Sequence, residues 1–447
     1  MYLPSSVEPI FLKLSVAFTR PTAVRMAVLM VGMMLSRGRH TITAALRMVG
    51  ALATGHFSSY HRVFSRAAWR PWVLSHTLTQ MVLDLFPPGQ IVPVAGDETT
   101  AGHKGPKVYG KGCHRDAVRS THTHISYKWG HKWVVLAIVV KFPWARCPWS
   151  LPVMATLYRP EELNRAEHRR HKTPSELARQ MLAALIHWFP ERTFTLLGDG
   201  GYATVELACW CSRHKHHLVS RLRIDAALYS PPPPRARKAH GRPARKGRKI
   251  DSPGRTAQRR NAAWKNATVD WYGGGRRRVR LLTGVGLWYN RGRMVEIRWV
   301  YVVDREGTHR DDCIFSTDVA LSPQRIVSLF TRRWSIEVTF EEVRAHLGLE
   351  TPRQRVAKSV LRMAPCLLGL FTVISLAFNR HMRSHQVRPA RTPWYDKHEL
   401  TFSDAIATVR RQLWSKTIFG MSSHAPHVSK LPRSFRTFLL DILSQAA

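Results

Sequence analysis

The sequence predicts an α/β protein with a helical N-terminal region, a mixed-sheet core and a mostly β insertion. Three observations carry that expectation. Apolar residues keep a helical spacing from about residue 22 to 86. From IVPVA (91–95) onward, short runs rich in β-branched residues alternate with helical stretches. After residue 225 a proline- and arginine-rich stretch breaks this pattern, and long strand-like runs follow it. The divisions implied are 1–88 for a helical region, 89–225 and 306–385 for two parts of a core, 226–305 for a basic arm with a β insertion, and 386–447 for a basic tail.

Charge narrows the class of partner. Apolar content of 44 % and charged content of 22 % are those of an ordinary globular protein. Yet 69 Lys+Arg face 29 Asp+Glu, which leaves a net charge of +40. Repulsion of that size opposes compaction unless a polyanion is nearby. Nucleic acid is the expected partner, because each neutralised phosphate releases counterions. The basic residues are spread along the chain rather than gathered on one amphipathic segment, which argues against a membrane surface. Six cysteines show no disulfide-scaffold spacing, so a reducing, cytoplasmic setting is expected. Met363–Asn379 is free of charge and nearly long enough to span a bilayer. Its proline, asparagine and small residues mark it as a buried core helix instead.

The elements follow in order. Thr41 to Leu52 is a short amphipathic helix ended by Gly55, and Ser58 or Ser59 caps a second one carrying His61, Arg62 and Arg66. Two short helices with a basic second member are compatible with helix-turn-helix DNA binding, which makes Arg62 and Arg66 candidate DNA contacts. IVPVA is a strand ending at Asp97. THTHISYKW (121–129) and WVVLAIVV (133–140) read as a hairpin turning at Gly130, with LPVMATLY (151–158) as a third member. Thr173-Pro174-Ser175-Glu176 is a capping box opening a helix to about Trp188. TFTLLG (193–198) is a strand ending at Asp199, and the glycine pair behind it permits a sharp turn. A helix from Thr204 to about Ser212 and a strand at 216–224 come next. Residues 231–260 open with four prolines and are rich in Lys and Arg, including Lys246 and Arg248. They read as a mobile basic arm that tracks a DNA backbone. RRVRLLTGVGLWY (277–289) and MVEIRWVYVV (294–303) form a hairpin through Asn290-Arg291-Gly292. CIFSTD (313–318) is a last strand, Ser322-Pro323 starts a helix through FTRRWSIEVTFEEVR (330–344), and 354–380 is a second long helix.

On a continuous helix, seven residues fall about 20° short of two turns. Phe330, Glu337 and Arg344 therefore share a stripe, with Arg333 beside it. This places a carboxylate between guanidinium groups able to hold phosphate. Asp97 and Asp199, each at the end of an apolar strand, complete a set of three carboxylates suited to Mg²⁺. Cys209, Cys211, His214, His216 and His217 invite a zinc reading, but Cys-x-Cys on a helix splays its thiols about 160° apart and no second pair follows.

GDETTAGHKG around Asp97, LGDGGYAT around Asp199, and FSTD followed by the FTRRWSIE helix closely resemble bacterial insertion-sequence DDE transposases. The branch resembled carries a Y-x2-R-x3-E-x6-K signature. Its spacing is kept here as Phe330, Arg333, Glu337 and Arg344, with Phe in place of Tyr and Arg in place of Lys. The resemblance implies an RNase H-like core, a helical DNA-binding region and a mostly β insertion between the second Asp and the Glu. It implies two Mg²⁺ ions, with Mn²⁺ as a substitute, on Asp97, Asp199 and Glu337. It implies double-stranded DNA as substrate, both element ends and target, and a homodimer on DNA acting at the nucleoid. Insertions of this kind can stack a flipped base on an aromatic residue. Trp264, Trp271, Trp288 and Trp299 are the candidates, Trp288 and Trp299 foremost. The rival expectations are a DNA-binding protein of the same fold that no longer transposes, and a structure-specific nuclease on the same core.

Overall fold

The computed structural model describes residues 3–116, 119–121, 123–234, 243–389, 396–419 and 431–445. Parts of the basic arm (235–242) and of the basic tail (390–395 and 420–430) lie outside the described residues. The chain divides into two compact units: Met1–Phe86, Glu98–Leu177 and Glu337–Ala447 form the first, and Pro87–Asp97 and Ala178–Ile336 form the second.

The first unit opens with helices α1 (Glu8–Leu14), α2 (Arg20–Leu35), α3 (Ile42–Val49), α4 (Phe57–Ser65) and α5 (Pro71–Leu83). Local chemistry sets their ends. Thr41 accepts from Ala44 N at 3.1 Å and caps α3, and Gly50 ends it at φ +51°. The cap of α4 is His56, which accepts from Ser58 N at 3.3 Å, rather than either serine. A ring nitrogen does there what a serine oxygen was expected to do.

Strand β1 (Val92–Gly102) runs through both units. It does not stop at Asp97. Its polar second half continues beside β3 (Tyr127–Val140), which also pairs with β2 (Gly112–Arg115) and β4 (Trp149–Tyr158). The hairpin expected at Gly130 is absent, because β3 is continuous through that residue. Gly130 serves close approach instead: a Cβ there would lie 2.1 Å from Ala101 O. Helix α6 (Glu161–Ala166) follows β4.

In the second unit, the first half of β1 pairs in parallel with β5 (Phe194–Leu197), and β5 with β6 (His217–Arg221). The sheet continues antiparallel through β12 (Asp312–Ser316), β11 (Arg293–Asp304) and β10 (Arg276–Asn290). β10 also pairs with β9 (Lys265–Asp270) and with β7 (Leu228–Tyr229), and β7 pairs with β8 (Lys249–Ile250). The β10–β11 turn has Arg291 at φ +47° and Gly292 at φ +78°, the left-handed pair a tight hairpin needs. Mixed pairing around a parallel centre is the arrangement of an RNase H-like core.

Helix α7 (Pro174–Trp188) opens with the expected box: Glu176 accepts from Thr173 N at 2.8 Å, and Thr173 accepts from Glu176 N at 3.3 Å. Thr204 caps α8 (Val205–Arg213). The described part of the basic arm is built into the sheet rather than loose. Leu228 and Tyr229 register with Ile250 and Lys249, and α9 (Pro253–Gln258) follows, capped by Ser252. Repulsion among its cations is offset locally by aromatic faces and by the Arg259–Asp251 pair.

The helix expected over 323–344 is two: α10 (Pro323–Arg332) and α11 (Ser335–Leu347). Between them Arg333 N, Trp334 N and Ile336 N each bond to the carbonyl three residues back, at 3.2, 3.2 and 3.0 Å. The stripe from Phe330 to Glu337 is therefore broken, while Glu337 and Arg344 remain on one helix.

In the first unit, α12 (Ala357–Met382) packs on β4, and Thr372 Oγ1 donates to Pro152 O at 2.7 Å. It is long and apolar enough to cross a membrane, and 78 % of that apolar stretch is buried within the fold. Helices α13 (Phe402–Phe419) and α14 (Arg433–Ser444) follow. Two buried arginines tie helix ends together. Arg410 donates to Met34 O and Ser36 O at the end of α2, and burial pushes it down to about 10. Arg362 donates to Phe64 O and Trp69 O past the start of α4's last turn, and stacks over the Trp69 ring.

Candidate active site

Asp97 and Asp199 are brought together by strand register. β1 and β5 are parallel neighbours with Ala95 opposite Leu197, so each aspartate stands two residues beyond the same paired rung. Asp97 is still within β1, whereas Asp199 lies just past β5 and caps the following turn. Gly201 N donates to Asp199 Oδ1 at 2.9 Å, which fixes the carboxylate. Ser220 Oγ, fully buried on β6, donates to Asp199 O at 2.5 Å. The glycine before the aspartate is a packing requirement, since a Cβ on Gly198 would lie 2.5 Å from Tyr202 Cβ.

Arg333 reaches the same place. Its Nη1 donates to Asp97 Oδ2 at 2.7 Å, with side chains only 11 % and 16 % exposed. The break between α10 and α11 falls at this residue. A charge-assisted pair of this burial is strong when intact and costly when one partner is removed. The guanidinium also lies over the buried Phe330 ring at 5.9 Å.

The remaining expected residues fall as follows. Glu337 opens the first unit's part of α11 and is half-buried. Within that unit Arg344 donates through Nη2 to Thr99 Oγ1 on β1, and its Nε lies 3.8 Å from Glu350 Oε1. Glu98 pairs with Lys132 of β3, on the side of β1 opposite to Asp97. Arg62 and Arg66 are exposed on and just after α4. Lys246 is wedged between the rings of Tyr229 and Tyr289, at 3.8 and 3.6 Å, while Arg248 is exposed.

The two foremost tryptophans differ, Trp299 being buried and Trp288 half-buried. Trp299 is a core residue, 4 % exposed, packed where a Cβ on Gly284 would be 2.7 Å away. Trp288 sets its ring edge against Phe315 at 5.0 Å. The zinc reading fails on chemistry. Burial pushes the Cys211 thiol up to about 12, and Cys209 donates to Met294 O at 3.2 Å.

Among the described residues, no three His, Cys, Asp or Glu side chains are gathered closely enough to form a ready metal cage. Two adjacent carboxylates are nevertheless the donor set that suits Mg²⁺, which keeps waters and completes its shell with substrate phosphate. Sequence reading singled out both aspartates as candidates. It missed Arg333 as the partner of Asp97 and Ser220 as the anchor of Asp199.

A family model described as DDE superfamily endonuclease matches residues 13–278, more than half of the chain. The chain belongs to the DDE superfamily of endonucleases. The matched segment contains Asp97 and Asp199 and ends before Arg333, Glu337 and Arg344. No curated protein matches the chain closely enough to add a nearer relative. Membership makes the chain a nuclease-type enzyme with DNA as its substrate, in a superfamily whose nucleases generally use divalent metals such as Mg²⁺.

Proposed function

We propose that this DDE endonuclease is a transposase that cleaves DNA at the ends of a mobile element and joins those ends to a target. The observation that carries the reading is the register-matched pair Asp97 and Asp199, with Arg333 docked on Asp97. Mg²⁺ held by Asp97 and Asp199, with Glu337 as the third ligand, would activate the attacking oxygen and stabilise the leaving one. The chain's own groups do the positioning. Gly201 N and Ser220 fix Asp199 before DNA arrives, so little reorganisation is left for the reaction. Arg344, bonded to a hydroxyl and more than a third exposed, would take a phosphate oxygen, while Arg333 serves as the counter-ion of Asp97. Exposed Arg62, Arg66 and Arg248 add sequence-independent affinity. The spacing of Phe330, Arg333, Glu337 and Arg344 supports the insertion-sequence branch, and two copies pairing two ends would form the working complex.

The test is joining as well as cutting. Supercoiled plasmid carrying the flanks of the protein's own locus is incubated with Mg²⁺ or with EDTA, and products are read for breaks and for new junctions. Wild type is expected to give both in Mg²⁺, and Glu337→Ala to bind DNA and give neither. Cleavage without junctions would make the protein a nuclease of the same core. Full activity of Glu337→Ala would remove Glu337 from the centre.

A further inference from the structure

The start of β3 places large apolar side chains in solvent. Tyr127 and Trp129 stand on one face of the strand, 65 % and 59 % exposed, and Ile125, two residues before the strand, is 53 % exposed. Cys113 and Arg115 stand opposite Trp129 and Tyr127 in the antiparallel register, and both are exposed. Lys111 Nζ lies 5.2 Å from the Trp129 ring centroid. β2 is an edge strand, and the exposure of these side chains shows that no described residue covers the face. A solvent-facing strand normally presents polar groups, and a contiguous apolar row marks a contact surface.

The flanking charge selects the occupant. Lys111 and Arg115 on the same face would repel a second copy of a chain whose net charge is +40, and would attract a polyanion. Duplex DNA hides its base faces and offers these rings nothing to stack on. A strand with unpaired bases offers both phosphates and π-faces. Residues i and i+2 of a strand stand about 7 Å apart, so each ring takes its own base.

We propose that the β2–β3 face is a platform for single-stranded DNA, with unpaired bases stacking on Tyr127 and Trp129 and the backbone tracking Lys111 and Arg115. It rests on the DNA substrate that family membership gives, and it concerns a stage at which bases next to the cut are unpaired.

The test uses the full chain in EDTA, so it reads binding without cleavage. A fluorescent 20-nucleotide single strand and the duplex of the same sequence are titrated with wild type, Tyr127→Ser, Trp129→Ser and the double variant. Thermal unfolding first confirms that the variants fold. Each single change is expected to weaken single-strand binding about tenfold, and the double change more, while duplex binding shifts less than twofold. Arg115→Gln should lower the salt slope on single strands by about 0.7. Iodouracil placed along the single strand should crosslink to Tyr127 or Trp129. Three results overturn the platform: unchanged single-strand affinity in the double variant, equal losses on single strand and duplex, or a wild type that self-associates through this face while the double variant is monomeric. A wild type that binds single strands through these rings and never joins ends would defeat transposition and leave the platform standing.

Discussion

Two arginines from the same short stretch dock onto the same strand with different consequences. Arg333 meets the first half of β1, where it pairs with Asp97 and both side chains are nearly buried. Arg344 meets the second half, where it bonds the hydroxyl of Thr99 and stands near Glu350, and it is 38 % exposed. The first is a counter-ion built into a carboxylate site. The second is a tethered cation, held by a neutral oxygen and a screened carboxylate, able to move to phosphate at little cost. Sequence spacing assigned both the same task. Burial and partner chemistry separate them.

The largest effects are expected at the carboxylates. Asp97→Asn or Asp199→Asn is expected to slow Mg²⁺-dependent cleavage by about a thousandfold or more, with DNA binding retained, because several kcal/mol of charge stabilisation is lost at the reacting centre. Substitutions at the two arginines should differ in kind. Arg333→Ala should destabilise the protein by about 3 kcal/mol, since it takes a largely buried guanidinium away from a largely buried carboxylate. Arg344→Ala should cost about 0.5 kcal/mol or less, and lower the salt slope of DNA binding by about one. Denaturant unfolding and salt titrations read both. A combined Arg333→Ala, Asp97→Asn variant should recover much of the Arg333→Ala loss, which a purely steric role for Arg333 would not produce.

Acid should act on the first unit through its histidines. Burial lowers His103, His114 and His131, and places His114 at about 4 with Lys132 and His131 beside it. The unfolded chain takes up these protons near 6.5, before the folded one does, so protons favour unfolding. Stability is complete above about pH 6.5 and is lost as pH falls toward 4. Melting temperature followed across that range should show the fall, and His114→Gln should flatten it. The smallest effect is expected from Ser220→Ala, about 1 kcal/mol of stability and a modest slowing of cleavage, as Asp199 loses the donor to its carbonyl.

How much of this was legible depended on whether the signal was local. The Thr173–Glu176 box and the Asn290–Gly292 turn were legible because each needs only neighbouring residues. Asp97 and Asp199 stood out as isolated carboxylates after apolar strands in a strongly basic chain. The extension of β1 through its polar second half was not legible, since Glu98 and Thr99 find their partners on distant segments, Lys132 and Arg344. Gly130 was misread because a glycine that turns a chain and one that admits a neighbouring carbonyl look alike in sequence. The break at Arg333 carries no proline or glycine to announce it, and coincides instead with the docking of Arg333 on Asp97. The seat of Trp299 was not legible, because it depends on the space Gly284 leaves across the hairpin.

A cleavage centre at Asp97 and Asp199 requires that DNA breakage depend on Asp199. This dependence is tested most directly by strand nicking in Mg²⁺, at protein concentrations that saturate the DNA, for wild type and Asp199→Asn side by side. Wild type is expected to nick, EDTA to abolish nicking, and Asp199→Asn to give none on equally occupied DNA. Nicking by Asp199→Asn at the wild-type rate would place the cleavage centre elsewhere.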